Sequence, residues 1–329
     1  MAVDLTELMP VLARLDRENR LAELDAVEFP ETGVLRWLFG LNAEFHFPND
    51  EQTDRRAAMI ELAEGYYDRT DGRCNHIEAN RGYRLRSRDD IRRILTEGAA
   101  AERYWDRQLN SGFYIAHLPS AEIRSGDPVH DKFSALLPGV LSQSGHLLYQ
   151  TRLRMLHDSP QTVVGDFIET CSRLGIFYAV QGVSVIFGSI SSRGVADAYP
   201  LLRRFPGLLF SDPVGLGLGI ENRNDIIRDV NWLTAIDDAM LARIGGAGVV
   251  RAALSDAVVL HPFDGGMVFQ AGPAPRIGDV NAAALIEPYR EVNALLRPLR
   301  FEDWGMPYLR VPDGIDRMQA TEDWIRRFD

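Results

Sequence analysis

Leu5, Leu8, Val11, Leu12 and Leu15 recur three and four positions apart, which predicts an amphipathic helix over residues 4–18 with its acids facing out. A strand-like segment follows at 33–47. The pattern then gives a helix over 53–70, opened by Asn49-Asp50 and bounded by Asp71-Gly72, and a short helix over 88–96. Strands are predicted at 81–86, 112–118 and 133–141. Between the last two, Pro119 to Lys132, with Ser120, Ser125, Gly126, Asp127 and Pro128, reads as an exposed loop. Val163, Val164, Phe167, Ile168 and Cys171 share one side of a helix over 160–174. The most apolar run, 176–187, is rich in branched and aromatic side chains and reads as a buried strand. Beyond it come a helix at 193–205, strands near 208–220 and 226–233, a helix at 237–254, a hairpin at 258–270, and helices at 281–296 and 315–328.

Each half can be written as helix, strand, helix, strand, helix, strand, strand. The expected fold class is therefore α+β, a mixed α/β body of two layered sandwich units, 1–158 and 159–329, packed together as from an old duplication, although no residue-level repeat supports it. A chain of 329 residues, 46% of them hydrophobic, has enough apolar surface to bury such cores without disulfide staples.

Glycine, proline, asparagine and aspartate punctuate the second unit. Asp264-Gly265-Gly266 joins two apolar runs as a hairpin turn, and Gly272-Pro273 ends the second strand because proline has no amide hydrogen for the ladder. Gly278-Asp279-Val280-Asn281 offers two side-chain oxygens as a helix cap. Together with Asn231-Trp232, His261 and Gln270, with Arg203-Arg204-Phe205-Pro206-Gly207-Leu208 and Asp212-Pro213, with Tyr289 and Leu296-Arg297-Pro298, and with the closing Trp324 to Asp329, this layout resembles the bacterial type VI secretion immunity proteins. Members of that family neutralise nuclease-type toxins such as VRR-NUC or Tox-REase effectors. The resemblance covers about residues 160–329. It implies an inhibitor that acts by binding a cognate effector and occluding its active site, with no catalytic residues, metal or cofactor. It also implies a first half that varies to fit different toxins. The motif residues themselves read as turns, caps and core.

Charge adds a reading independent of the resemblance. Residues 1–64 hold 14 acidic and 6 basic side chains and residues 301–329 hold 7 and 4, which together account for the net charge of −11. Such a chain repels nucleic acid and suits a basic partner protein, as an acidic scaffold or as a blocker of a nuclease cleft. The expected steering charges are Asp4, Glu7, Asp16, Glu18, Asp50, Glu51 and Asp54, and the expected aromatic anchors are Trp37, Tyr66, Tyr67, Trp105 and Tyr114.

Enzyme signatures are sparse. Lys132 is the single lysine, so no Walker A loop exists, and His130 stands where a restriction-endonuclease-like site needs an acid two residues before its lysine. Gly215-Leu216-Gly217-Leu218-Gly219 lacks the third glycine of a dinucleotide loop and reads as a bent strand. Cys74 and Cys171 suggest neither a disulfide framework nor a zinc site. An acidic amino terminus and the lack of a long apolar stretch predict a cytoplasmic protein that does not enter a membrane. The polar cluster open to an alternative, a metal-dependent hydrolase, is His261, Asp264 and Asp279.

Overall fold

In β1 (Trp37–Pro48) one side chain set is apolar, Leu41, Ala43, Phe45 and Phe47, and the alternate set is polar, Asn42, Glu44 and His46. Alternation of this kind ordinarily leaves the polar face in water. Here both faces are buried, because β1 is the centre of a ten-stranded sheet covered on each side. The computed structural model describes residues 5–26, 37–48, 54–118, 128–138, 144–187, 192–219 and 223–329.

The remaining strands are β2 (His76–Glu78), β3 (Gly82–Arg84), β4 (Gly112–Ala116), β5 (Lys132–Leu136), β6 (Ser144–Thr151), β7 (Tyr178–Phe187), β8 (Leu233–Asp237), β9 (Val258–Phe263) and β10 (Gly266–Ala271). Their spatial order is β3-β2-β4-β5-β6-β1-β7-β8-β10-β9, and every paired neighbour is antiparallel. Strands from before residue 158 thus form one side of the sheet and later strands the other. They meet where β1 pairs with β7 from Trp37 opposite Phe187 to His46 opposite Tyr178.

The apolar face of β1 packs under helices Arg56–Arg69 and Pro160–Leu174, with Phe45 against Phe167 and Tyr149 at ring separations of 5.0 and 5.4 Å. The polar face meets the irregular segment 226–232 and the C-terminal helix Arg317–Ile325, and there the sheet buries charge. Arg228, fully buried, donates through Nη1 to both Glu44 carboxylate oxygens at 3.2 Å and through Nε to Asp229 Oδ1 at 2.7 Å. Arg327 Nη2 donates to Asp229 Oδ2 at 2.6 Å, and the Tyr178 hydroxyl donates to Oδ1 at 3.0 Å. Arg228 also lies over the Tyr308 and Trp324 rings, and Arg327 over Trp324 at 4.0 Å. His46 Nε2 approaches Glu44 Oε1 at 2.6 Å. Burial alone would push the Glu44 carboxyl up, but Arg228 and His46 outweigh it and hold it down at about 2.

A second clamp ties the first helix, Leu5–Arg17, to the far end of the chain. Leu8, Leu12 and Leu15 are buried as the pattern predicts, but Asp16 faces in with them rather than out. Its carboxylate takes both Nε and Nη2 of Arg276 at 3.0 Å and the backbone amides of Ile277 and Gly278 at 2.8 and 3.3 Å.

Several expected elements differ in detail. Residues 208–220 contain a helix, Pro213–Gly219, instead of a bent strand: the Asp212 carboxylate accepts from the Gly215 amide at 2.9 Å and Pro213 suits a first turn. The expected strand at 226–233 is the irregular charged segment, and the true strand starts at Leu233. The helix expected over 237–254 is broken into Asp238–Arg243 and Gly246–Ala253 by Gly245 and Gly246 at φ +99° and +78°. The helix expected from 281 begins at Glu287, after a short turn that Asp279 caps. Residues 119–127 of the expected loop lie outside the described residues, while Val129 and Asp131 are buried.

Two predictions follow from the buried polar face. Replacing Arg228 with Met leaves buried Glu44 with His46 alone and buried Asp229 with Arg327 and Tyr178 alone, and urea denaturation should show a loss of about 3 kcal/mol. His146, opposite His46 on β6, is driven by burial, and further by His46, down to about 3 from 6.5, while Glu44 opposes the shift. Both Glu44 and His146 bind protons more weakly folded than unfolded, so stability is full above pH 6.5 and falls with acid, first through His146 and then, below 4.5, through Glu44. Denaturation midpoints measured from pH 7 to 4 should decline, and His146→Gln should flatten the upper part of that decline.

Candidate partner-binding site

Of the five expected anchors, Trp37 and Tyr66 lie in the core, the latter donating its hydroxyl to the Gln150 carbonyl at 2.5 Å. Tyr67 and Tyr114 are half-buried, and Lys132 Nζ sits 4.7 Å from the centre of the Tyr114 ring. Trp105 is 37% exposed. Of the expected acids, Asp4, Asp50 and Glu51 lie outside the described residues, Asp16 is consumed by its clamp, Glu7 is exposed, and Glu18 is exposed and paired to Arg20 at 2.7 Å. Asp54 is exposed and belongs to the same corner of the molecule as Trp105.

That corner is built by the short helix Gly98–Trp105 and the turn after it. The buried guanidinium of Arg56 donates through Nε to the Tyr104 carbonyl at 2.7 Å and through Nη2 to that of Asp106 at 3.3 Å, while the Tyr104 hydroxyl returns a bond to the Arg56 carbonyl at 2.7 Å. Ser111 Oγ adds a third tie, to the Tyr104 carbonyl at 3.1 Å. Asp106 Oδ1 then accepts from the Gln108 amide at 2.9 Å, closing a turn that leaves Leu109 42% exposed. Arg107 Nη2 reaches back to Asp54 Oδ2 at 2.9 Å. The Trp105 indole N–H donates to the Leu95 carbonyl at 3.0 Å and its ring packs edge-on against Tyr104.

An apolar pair, Trp105 and Leu109, therefore stands at the surface with Glu97, Glu102, Asp106 and Asp54 exposed nearby in the chain or through the Arg107 bond, against Arg103 and Arg107. Burial would raise the Asp54 carboxyl, but the Arg56 amide and Arg107 prevail and hold it below its ordinary value, so it is charged at neutral pH. A fixed aromatic, an exposed leucine four residues further along the chain and charged side chains nearby match the composition of an interface anchor. Leu109, Glu102 and Asp106 were not singled out from sequence. The signal present was an isolated leucine in the polar run Asp106-Arg107-Gln108-Leu109-Asn110.

The motif residues of the second half act on packing instead. Asn231 Nδ2 donates to the Gly207 carbonyl at 3.1 Å, and its Oδ1 takes the Trp232 amide at 2.9 Å; a side chain at Gly182 would collide with that same oxygen. Trp232 Nε1 donates to the Gly272 carbonyl at 3.1 Å, which also accepts from Gln270 at 3.2 Å. Gly265 turns the hairpin at φ +104°, Gly266 packs against the Ile236 carbonyl with no room for a side chain, and Pro273 is exposed just past the strand end. The three residues of the hydrolase alternative are engaged separately: His261 with Gln270 Oε1 at 2.8 Å, Asp279 with Arg204 at 2.8 and 3.0 Å and with the Asn281 amide, and Asp264 at the exposed hairpin tip. Among the described residues no group of three His, Cys, Asp or Glu side chains is arranged to hold a metal ion.

A family model described as "Type VI immunity for VRR-NUC" matches residues 161–328, just over half of the chain. Among solved structures, a Pseudomonas aeruginosa T6SS protein, PA0821, has the same fold, with a TM-score of 0.78 at 18% identity over 91% of this chain and 84% of that one. No curated protein matches.

Arg56 is the keystone of the corner. Arg56→Met strips donors from two carbonyls and should cost about 2 kcal/mol in chemical denaturation. Hydrogen exchange should rise first over residues 104–111, and a red shift of tryptophan emission should accompany it.

Proposed function

Because the chain belongs to the family of type VI immunity proteins for VRR-NUC, we propose that it binds a cognate nuclease effector and closes its active site to DNA. The family match carries this reading. It is supported by the Trp105 corner, which presents a rigid anchor, and by the concentration of negative charge in residues 1–64. A nuclease needs a basic cleft to hold phosphates, and an acidic inhibitor complements that cleft while speeding encounter by roughly 10 to 1000-fold at low salt.

In this reading Trp105 and Leu109 enter an apolar depression beside the effector's cleft, Asp54, Glu97, Glu102 and Asp106 meet its basic rim, and Glu7 and Glu18 steer from further away. The chain performs no chemistry and uses no cofactor. Its place of action is the cytoplasm, where the effector would meet DNA; among the described residues no helix is long and apolar enough to cross a membrane, and Cys74 and Cys171 are buried free thiols. The first half supplies recognition and the second half, with its motif residues, supplies a constant frame; the division at residue 158 is proposed on that basis.

The reading is tested with the effector's purified nuclease domain and this chain. Stoichiometric addition should abolish DNA cleavage, and failure to inhibit would sink the function. Trp105→Ala combined with Leu109→Ala should weaken binding at least about tenfold while the fold survives. Undiminished inhibition by that variant would move the interface elsewhere without touching the function. Raising salt should slow association more than dissociation.

A further inference from the structure

Between Asp279 and the helix Glu287–Leu296 the chain points apolar side chains at solvent. Val280 is 47% exposed and Leu285 52%, and Ala282 and Ala283 between them are exposed as well. Exposed apolar side chains scattered singly need no explanation, whereas a run of them at one turn marks a contact surface.

The turn is held stiffly from beneath. Asp279 and Ala284 exchange both backbone hydrogen bonds, at 3.2 and 3.0 Å, and the Ala282 and Ala283 amides donate to the Asp279 and Val280 carbonyls. Ile286 is buried at the base, so near Gly207 and Gly278 that a side chain at either would press on it. Ala283 itself sits at φ +50°. Apart from glycines, the other described residues at positive φ are Asn19 and Asp71, whose short polar groups suit that region, while alanine has no such compensation. Backbone strain retained at an exposed turn points to a shape with a use.

Charge says what the shape can meet. The single carboxylate of the turn, Asp279, is buried, and the Arg204 bonds, foremost, then the Asn281 amide and nearby Arg17 outweigh burial and keep its carboxyl below the ordinary value. The turn thus presents no free charge of its own. Two charges of opposite sign border it. Arg17 is exposed, donates through Nε to the Ala13 carbonyl of its own helix at 3.3 Å and has no ion pair among the described residues. Glu287, its side chain 71% exposed, meets Arg290 at 3.3 Å in a surface pair that is readily exchanged. A border of one sign would make two copies repel each other; a border of both signs lets a two-fold axis set each charge against its opposite.

We infer that this turn joins two copies of the chain: Val280 and Leu285 of both pack together about a two-fold axis, and Arg17 of each copy pairs with Glu287 of the other. The surface shares no residue with the Trp105 corner, and the inference does not rest on the immunity reading.

Sedimentation velocity on the intact protein at physiological salt tests it. A reversible dimer with a dissociation constant of about 10–100 μM is expected, weak because the apolar patch is small. Val280→Ser combined with Leu285→Ser should raise that constant at least about tenfold. Arg17→Glu and Glu287→Arg should each weaken the dimer, and the two together should restore it, a rescue that damage to the fold would not give. A monomer at about 300 μM, a dimer indifferent to the Val280 and Leu285 changes, or a double charge exchange no tighter than its single variants would each overturn the assignment. If the protein stays monomeric and the Val280 and Leu285 changes weaken inhibition of the nuclease domain, the occupant is the effector and the second copy is excluded.

Discussion

Burying Arg228 is the constraint around which the molecule is arranged. A guanidinium without solvent must have partners within reach, and besides its neighbour Asp229 they come from remote parts of the chain: Glu44 on β1 and the aromatic face formed by Tyr308 and Trp324. Arg327 then meets the second oxygen of Asp229 and pins the C-terminal helix. The cluster is held under the seam where β1 and β7 join the two sides of the sheet. Uncompensated charge there is far more costly than a lost apolar contact, so alternative registers or a detached C-terminal segment are penalised strongly. An ion cluster of this kind gives little net stability over an apolar core of equal volume. Its contribution is to make one arrangement distinctly better than its neighbours.

The asparagine, tryptophan and glycine punctuation of the second half belongs to the same task. Asn231 and Trp232 follow Arg228 and Asp229 directly and fasten that segment to Gly207 and Gly272, while Asp16 brings the first helix onto Ile277 and Gly278. Asn231, Trp232 and Asp16 therefore lie beneath the surface as a frame.

How much of this was legible depends on what each residue had to reveal. The helix at 160–174, the strand at 176–187 and the hairpin at 258–270 carry their own periodicity and turns, and the structure contains all three. A strand-like segment was legible at 33–47, but not that Glu44 and His46 would be covered, because the covering residues belong to segment 226–232 and the helix Arg317–Ile325, far along the chain. β6 was missed because His146 and Gln150 sit in a strand buried on both faces, so no simple period appears. The helix Gly98–Trp105 was missed because Gly98, at φ +72°, reads as the stop of the preceding helix. Alternating glycine and leucine at 215–219 imitates a strand, while the Asp212 carboxylate on the Gly215 amide and Pro213 in the first turn favour a helix. Among the expected anchors, Trp37 and Trp105 are chemically the same residue. Their different exposure follows from neighbours that spacing does not encode.

The hydrogen bond from the Trp105 indole to the Leu95 carbonyl, with Tyr104 packed edge-on beside it, has a thermodynamic consequence. A large side chain free to rotate at the surface loses rotamer freedom when a partner traps it, at about 0.5–1.5 kcal/mol each. Trp105 has already been immobilised when the chain folds. In the complex proposed above, contact at this corner would then spend little on entropy, and lifetime in the bound state would be lengthened without a single added contact.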